Sequence, residues 1–233
     1  CSGLEELDVS GLDTRNVRSM NGMFAGCSSL KKLVVNGLDT KEVTDMGNMF
    51  SGCSALTELD VSGLYTGNVT AMYGMFSGCS ALTELDLSGF DTRKVEDMSS
   101  MFLDCRSLVN LDLSGFDMTA MGTGMMMGSV ADGMFSGCNA LACLLTPRNY
   151  KCEESVALPK QSDEDIWKDR EGKLYTELPR NRADSVLLYR NNYLEDENGN
   201  IKQIVTVSGV RMESKIYDGQ PCVYAGTAVL TDL

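Results

Sequence analysis

Seven carboxylates stand where an internal repeat would bring them into line: Glu6, Asp8, Glu58, Asp60, Glu84, Asp86 and Asp112. Each alternates with Leu or Val, so a strand at these positions would turn the apolar residues inward and the acids to the open face. Ser10, Ser62, Ser88 and Ser114 follow in the same phase, and Lys32, Val34 and Asn36 break the pattern in the second unit. Adjacent strands lie about 4.8 Å apart. Mutual repulsion at that spacing is expected to raise the carboxyl pKa values, and the stripe would attract cations or a basic partner. Two plainer readings compete with partner binding. Each Asp could bond its own turn in a solvated ladder, as its recurrence in four of five units suggests. Calcium is the third reading, although it favours six to eight enclosing oxygens and a flat stripe offers fewer.

The other reactive groups are nine cysteines. Cys1, Cys27, Cys53, Cys79 and Cys105 recur every 26 residues and Cys138 follows after 33. Equivalent positions in a stacked repeat have parallel Cα–Cβ vectors, whereas a disulfide needs Cβ atoms that approach each other. The spacing therefore predicts a column of buried, reduced thiols, packed and inert. Cys143, Cys152 and Cys222 lie outside it, and a Cys143–Cys152 bridge stays open. Histidine is absent, which excludes Ser-His-Asp and Cys-His catalysis and every His-ligated metal. No C-x-x-C pair or phosphate-binding glycine loop in a strand-to-helix setting occurs. Neither an enzyme nor a cofactor is expected.

A net charge of −13 opposes binding to phosphate backbones or anionic lipid, so nucleic acid and membrane insertion are not expected. No apolar run reaches the roughly 18 residues of a membrane span, and the N-terminus lacks a signal-peptide layout. The chain starts in register with a repeat and without Met, and reads as a piece of a longer protein.

The elements that must position these groups come from the repeat. CSALTELDVSGLYTGNVTAMYGMFSG aligns without gaps on its neighbours, and such a period is the first thing to read in a repeat protein. Leu7, Leu33, Leu59, Leu85 and Leu111 are followed two residues later by Val9, Val35, Val61, Leu87 and Leu113, the pattern of one short strand. Beyond a glycine turn, Val69, Met72, Met75 and Phe76 fall three or four apart, which predicts one face of a short helix. Asp39-Thr40 and Asp91-Thr92 would cap it. The expected fold is an α/β repeat solenoid, a leucine-rich-repeat right-handed superhelix. It would have one short parallel strand and one short helix per 26-residue repeat, with a small β-rich C-terminal cap.

The repeated LDLSGFDT…V…M…MF…C pattern resembles the BspA-like leucine-rich-repeat family of bacterial surface proteins, over residues 1 to about 145. That resemblance implies an extracellular or cell-surface protein, adhering to a host or microbial surface protein or glycan. A passive spacer presenting other domains is the alternative. The carboxylates singled out above are then the candidate contact residues.

The fifth unit is seven residues longer, with Met118 where Thr stood, and is expected to extend its helix; a Met-rich contact patch is the other reading. A partial sixth unit stops at Pro147. Residues 146–195 are expected to form a β-rich cap with a hairpin at Glu171-Gly172 and Trp167 and Tyr175 as its core. Residues 196–233 read as the start of a truncated β-module, in which KIYDG resembles the opening of YDG-type surface modules. The first repeat lacks a cap, so end-to-end pairing of copies through its edge is possible.

Overall fold

The computed structural model describes residues 3–123, 132–151, 154–160 and 165–190 in full, and 193–195, 201–207 and 210–213 as main chain. Because the apolar residues recur in one phase, each 26-residue unit buries them against its neighbours. Phe24, Phe50, Phe76, Phe102 and Phe135 stack in a column with ring centroids 5.6–5.9 Å apart and planes within 11°. Val43, Val69 and Val95, with Met46, Met72 and Met98, are wholly buried beside it. The seven extra residues of the fifth unit leave this column unbroken, since Phe102 and Phe135 stack at 5.9 Å across 33 residues of chain.

The expected helix in each repeat does not form; among the described residues there is none, and the chain is built on sheets, bridges and turns. The α/β leucine-rich-repeat solenoid is therefore corrected to an all-β stack. Two residues per unit explain it. Positions equivalent to Gly74 and Gly78 take positive φ in five successive units: Gly22, Asn48, Gly74, Ser100 and Gly133, then Gly26, Gly52, Gly78, Asp104 and Gly137. A left-handed residue interrupts a right-handed helix, and two of them four apart leave no room for one. Instead, alternate N–H groups close local turns or reach the next unit. Met75 N–H donates to Met72 O at 3.2 Å, while Met72, Gly74, Phe76 and Gly78 donate to Asp97, Ser99, Met101 and Leu103 at 2.7–3.0 Å. Each unit is thus a rung hydrogen-bonded to the next, and parallel bridges link Ser19, Asp45, Ala71 and Asp97.

The Asp-Thr pairs do different work from the helix caps expected of them. Asp39 and Asp91 accept from the N–H two residues on, closing a turn. The threonines Thr14, Thr40, Thr66 and Thr92 are buried and join rungs. Thr66 Oγ1 accepts from Asp91 N–H at 2.7 Å and donates to Asp91 O at 3.2 Å. Replacing Thr66 by Val keeps the shape and strands a peptide N–H. We expect it to destabilise the fold by about 1–3 kcal/mol, read as a lowered urea midpoint at unchanged slope; no shift would contradict the bridging role.

Strands are sparser than one per repeat. β1 (Glu6–Asp8) pairs in parallel with β2 (Lys32–Val34). β3 (Asn110–Asp112) pairs in parallel with β4 (Cys143–Leu145), whereas 57–60 and 83–86 form no strand. The outer edge of β4 is taken antiparallel by β7 (Leu187–Arg190), followed by β5 (Trp167–Lys168) and β6 (Leu174–Tyr175), making one mixed five-stranded sheet. β5 and β6 are the hairpin around Gly172, whose φ is +80°. Trp167 and Tyr175 are buried there, with Trp167 Nε1 donating to Pro159 O and Tyr175 Oη to Asp169. β8 (Tyr193–Glu195), β9 (Ile201–Val207) and β10 (Val210–Glu213) form an antiparallel sheet that spans the division expected at residue 195. In the fifth unit Met118 and Met121 are buried. The rest of its expected helix falls on 124–131, and Cys152 and the KIYDG segment also lie outside the described residues.

Candidate binding face

Glu6, Asp8, Glu58, Asp60, Glu84, Asp86 and Asp112 are all exposed, on β1, on β3 and on the two rungs between that lack strand pairing. Their local setting comes from the Asp-x-Ser spacing. The N–H of Ser10, Ser62, Ser88 and Ser114 donates to Oδ1 of Asp8, Asp60, Asp86 and Asp112 at 2.8–3.0 Å. A side chain that binds the backbone two residues on makes an Asx turn.

Those bonds reverse the expected electrostatics. Repulsion within the stripe was expected to raise the carboxyl pKa values, but Asp8, Asp60 and Asp86 are held below the ordinary range. At Asp8 the Ser10 hydroxyl is the leading cause, followed by its N–H. At Asp60 the Ser62 hydroxyl leads and the Asn36 amide adds to it. At Asp86 the Ser88 N–H leads, and the opposing repulsion from Asp60 is the smallest influence. Donors at hydrogen-bond distance outweigh a like charge screened by water. By linkage, whatever these groups add to stability is present above the ordinary carboxyl pKa and fades as pH falls through the lowered one. Carboxylates kept ionised suit attraction of cations rather than proton donation.

The sequence missed two features of this face. Asn36, read only as a break in the stripe, donates from Nδ2 to Asp60 Oδ2 at 2.8 Å. A shallow depression of about 370 Å³ opens between the third and fourth rungs, where Glu58, Asp60, Glu84 and Asp86 meet Thr57, Leu59, Thr83 and Leu85. Among the described residues no cluster of three Asp, Glu or Cys is placed to hold a metal ion. On the turn side Asp13, Asp39, Asp91 and Asp104 each have a basic partner two residues on. Arg15 meets Asp13 at 2.8 Å and Arg93 meets Asp91 at 2.6 Å, and the Arg93 guanidinium holds Asp91 down to about 2. On the strand side no basic residue contributes to the shifts of Asp60 and Asp86.

The thiols are the second chemical feature. Cys53, Cys79, Cys105 and Cys138 are reduced and buried. Each donates to the carbonyl of Phe24, Phe50, Phe76 or Phe102 in the preceding rung at 3.0–3.2 Å. Burial is the main cause that pushes Cys53 up to about 11 and Cys79 and Cys138 up to about 12. Cys105 moves in the same direction for the same reason.

An all-β stack of 26-residue rungs with one acidic face and a protonated thiol column defines the structural class. Residues 18–142 match the family described as "Mycoplasma protein of unknown function, DUF285", and the chain belongs to that family. No curated protein and no solved structure matches the chain.

Proposed function

We propose that this chain is a contact segment of a bacterial cell-surface or secreted protein of the BspA-like class, binding a surface protein or glycan through its acidic face. One observation carries the reading: Asp8, Asp60, Asp86 and Asp112 are exposed, held by the same turn, and aligned on the side where no basic residue neutralises Asp60 and Asp86. Such a face accelerates encounter with a positively charged partner and favours that partner over anionic ones. The LDLSGFDT-type units support the surface-protein class, and KIYDG supports a following YDG-type module. An extracellular location goes with both.

The test is the triple variant Asp60→Lys, Asp86→Lys, Asp112→Lys in the full chain, applied to arrays of surface proteins and glycans. We expect loss of at least about tenfold in affinity at low salt, with circular dichroism unchanged. Retained binding by a folded variant would favour the second reading, a passive spacer. The identical Asp-Ser turn in four rungs is what a purely solvated ladder would also show.

A further inference from the structure

The third rung departs from its neighbours at two positions on the turn side, and the two changes belong together. Where the other rungs carry Asp13, Asp39, Asp91 and Asp117, it has Tyr65; where three of them carry Arg15, Lys41 and Arg93, it has Gly67. The main chain is not the reason. Tyr65 is fastened to Thr40 as Asp91 is to Thr66, by the same pair of bonds across the rungs, and Gly67 does not take the positive φ of the turn glycines. What glycine supplies is room. A Cβ at position 67 would lie 2.5 Å from the Tyr65 hydroxyl oxygen and 2.7 Å from Cζ, so any other residue would push the ring aside. Tyr65 thus lies across a buried glycine and stays 48% exposed.

Beside the ring is a pocket of about 310 Å³, bounded by Tyr65, Gly67, Asp91, Arg93 and Lys94. That volume is at the lower end for small-molecule sites and suits a single ring. Its polar wall is held in place. Arg93 donates from Nε and Nη2 to the two oxygens of Asp91 at 2.9 and 2.6 Å, a bidentate pair with a fixed plane. Lys94 Nζ donates to Asn68 Oδ1 at 2.7 Å, and Asn68 is anchored through Nδ2 on Lys41 O at 2.9 Å. An ammonium has three N–H groups, and Asn68 takes one. Asp91 and Arg93 cancel in charge, so Lys94 leaves the wall positive. Asp117, the next acid along this side, is engaged by Thr119 and Asn149. In a chain of net charge −13, a positive wall beside an exposed aromatic ring is a local exception.

We propose that this pocket binds a pyranose ring bearing a carboxylate, a uronic or sialic acid unit of a glycan. The C–H face of the sugar lies on the Tyr65 ring, whose π cloud is negative. Adjacent hydroxyls accept from the Nη1 edge of Arg93 and donate to Asp91, and the sugar carboxylate pairs with Lys94. A neutral sugar gains the stacking without the ion pair. A simple carboxylate gains the ion pair without the stacking. The site goes beyond the acidic strand face, shares no residue with it, and stands or falls without it.

Saturation-transfer NMR and titration of the full chain use four probes: methyl glucuronide, N-acetylneuraminic acid, methyl glucoside and acetate. At least one acid sugar should bind at least about tenfold more tightly than the glucoside and acetate, and the one that does so names the source. Lys94→Gln should remove that advantage. The double variant Tyr65→Asp, Gly67→Arg restores the Asp-Thr-Arg found at 13–15 and 91–93. It should abolish saccharide binding while its melting temperature stays within about 3 °C of the parent. Arg15→Ala, in the corresponding pair of the first rung, should leave binding unchanged. Failure of both acid sugars to bind, equal binding of the glucoside, or undiminished binding by the double variant would each overturn the proposal.

Discussion

Labelling of Cys79 by a thiolate-selective reagent at mildly alkaline pH should run at least about 1000-fold slower in the native chain than in denaturant. Reactivity follows the thiolate fraction. Raising the thiol from its ordinary value of 9.0 to about 12 lowers that fraction by about three powers of ten, before steric exclusion is counted. Cys79 is wholly buried and its proton lies on Phe50 O. The same shift fixes a pH dependence. A group whose folded pKa is raised contributes stability that is complete below the unfolded value and declines as pH rises through the folded one. Stability should accordingly fall between about pH 9 and pH 12, with Cys53, Cys79, Cys105 and Cys138 acting together. Rapid native labelling of these four, or a melting temperature flat across that window, would show that the column is open to solvent.

The second large effect is Phe76→Ala. Phe76 is fully buried and stacked on both sides, on Phe50 at 5.6 Å and Phe102 at 5.9 Å. Its removal opens a cavity in the middle of the stack and takes a partner from two other rings. The cost is about 3–5 kcal/mol, which at this chain length lowers the melting temperature by about 10 °C. Phe76→Leu should cost much less, because most of the volume is retained. A drop of less than about 1 kcal/mol for the Ala variant would mean that the rungs do not pack as a continuous core.

The inward positions were legible because a 26-residue period can be met only by stacking like on like. Cys53 on Cys79 and Phe50 on Phe76 follow from the spacing alone. The wrong element came from the same residues. Val69, Met72, Met75 and Phe76 lie three or four apart, which suits a helix face, but they equally suit a rung whose main chain turns twice and points the same side chains inward. The deciding signal was Gly74 and Gly78, four apart and echoed by Gly22 with Gly26 and by Gly133 with Gly137. Asn48, Ser100 and Asp104 in the same places concealed the requirement for positive φ, since those residue types also occur in helices. Apolar spacing outweighed backbone chemistry in the reading, and backbone chemistry determined the structure.

The candidate face divides in a similar way. Alternation with Leu and Val placed the acids on the exposed side. Their electrostatics turned on Asp-x-Ser, a two-residue interval that a reading based on carboxylate-to-carboxylate distance passes over. Asn36 looked like an interruption because it departs from Ser at that position, yet the longer amide reaches Asp60 in the next rung where a Ser hydroxyl could not. The five-stranded sheet ending in β6 was foreshadowed only in its hairpin and its Trp167 core. The pairing of β7 with β4 joins residues more than 40 apart, and no local pattern encodes such a match.

Far-UV circular dichroism of the chain tests the central claim most directly, because the rungs are either turns with two left-handed residues each or short helices. The account predicts a spectrum of strand and turn without the helical double minimum. A helical contribution equivalent to a turn or more of helix in each 26-residue unit would contradict it.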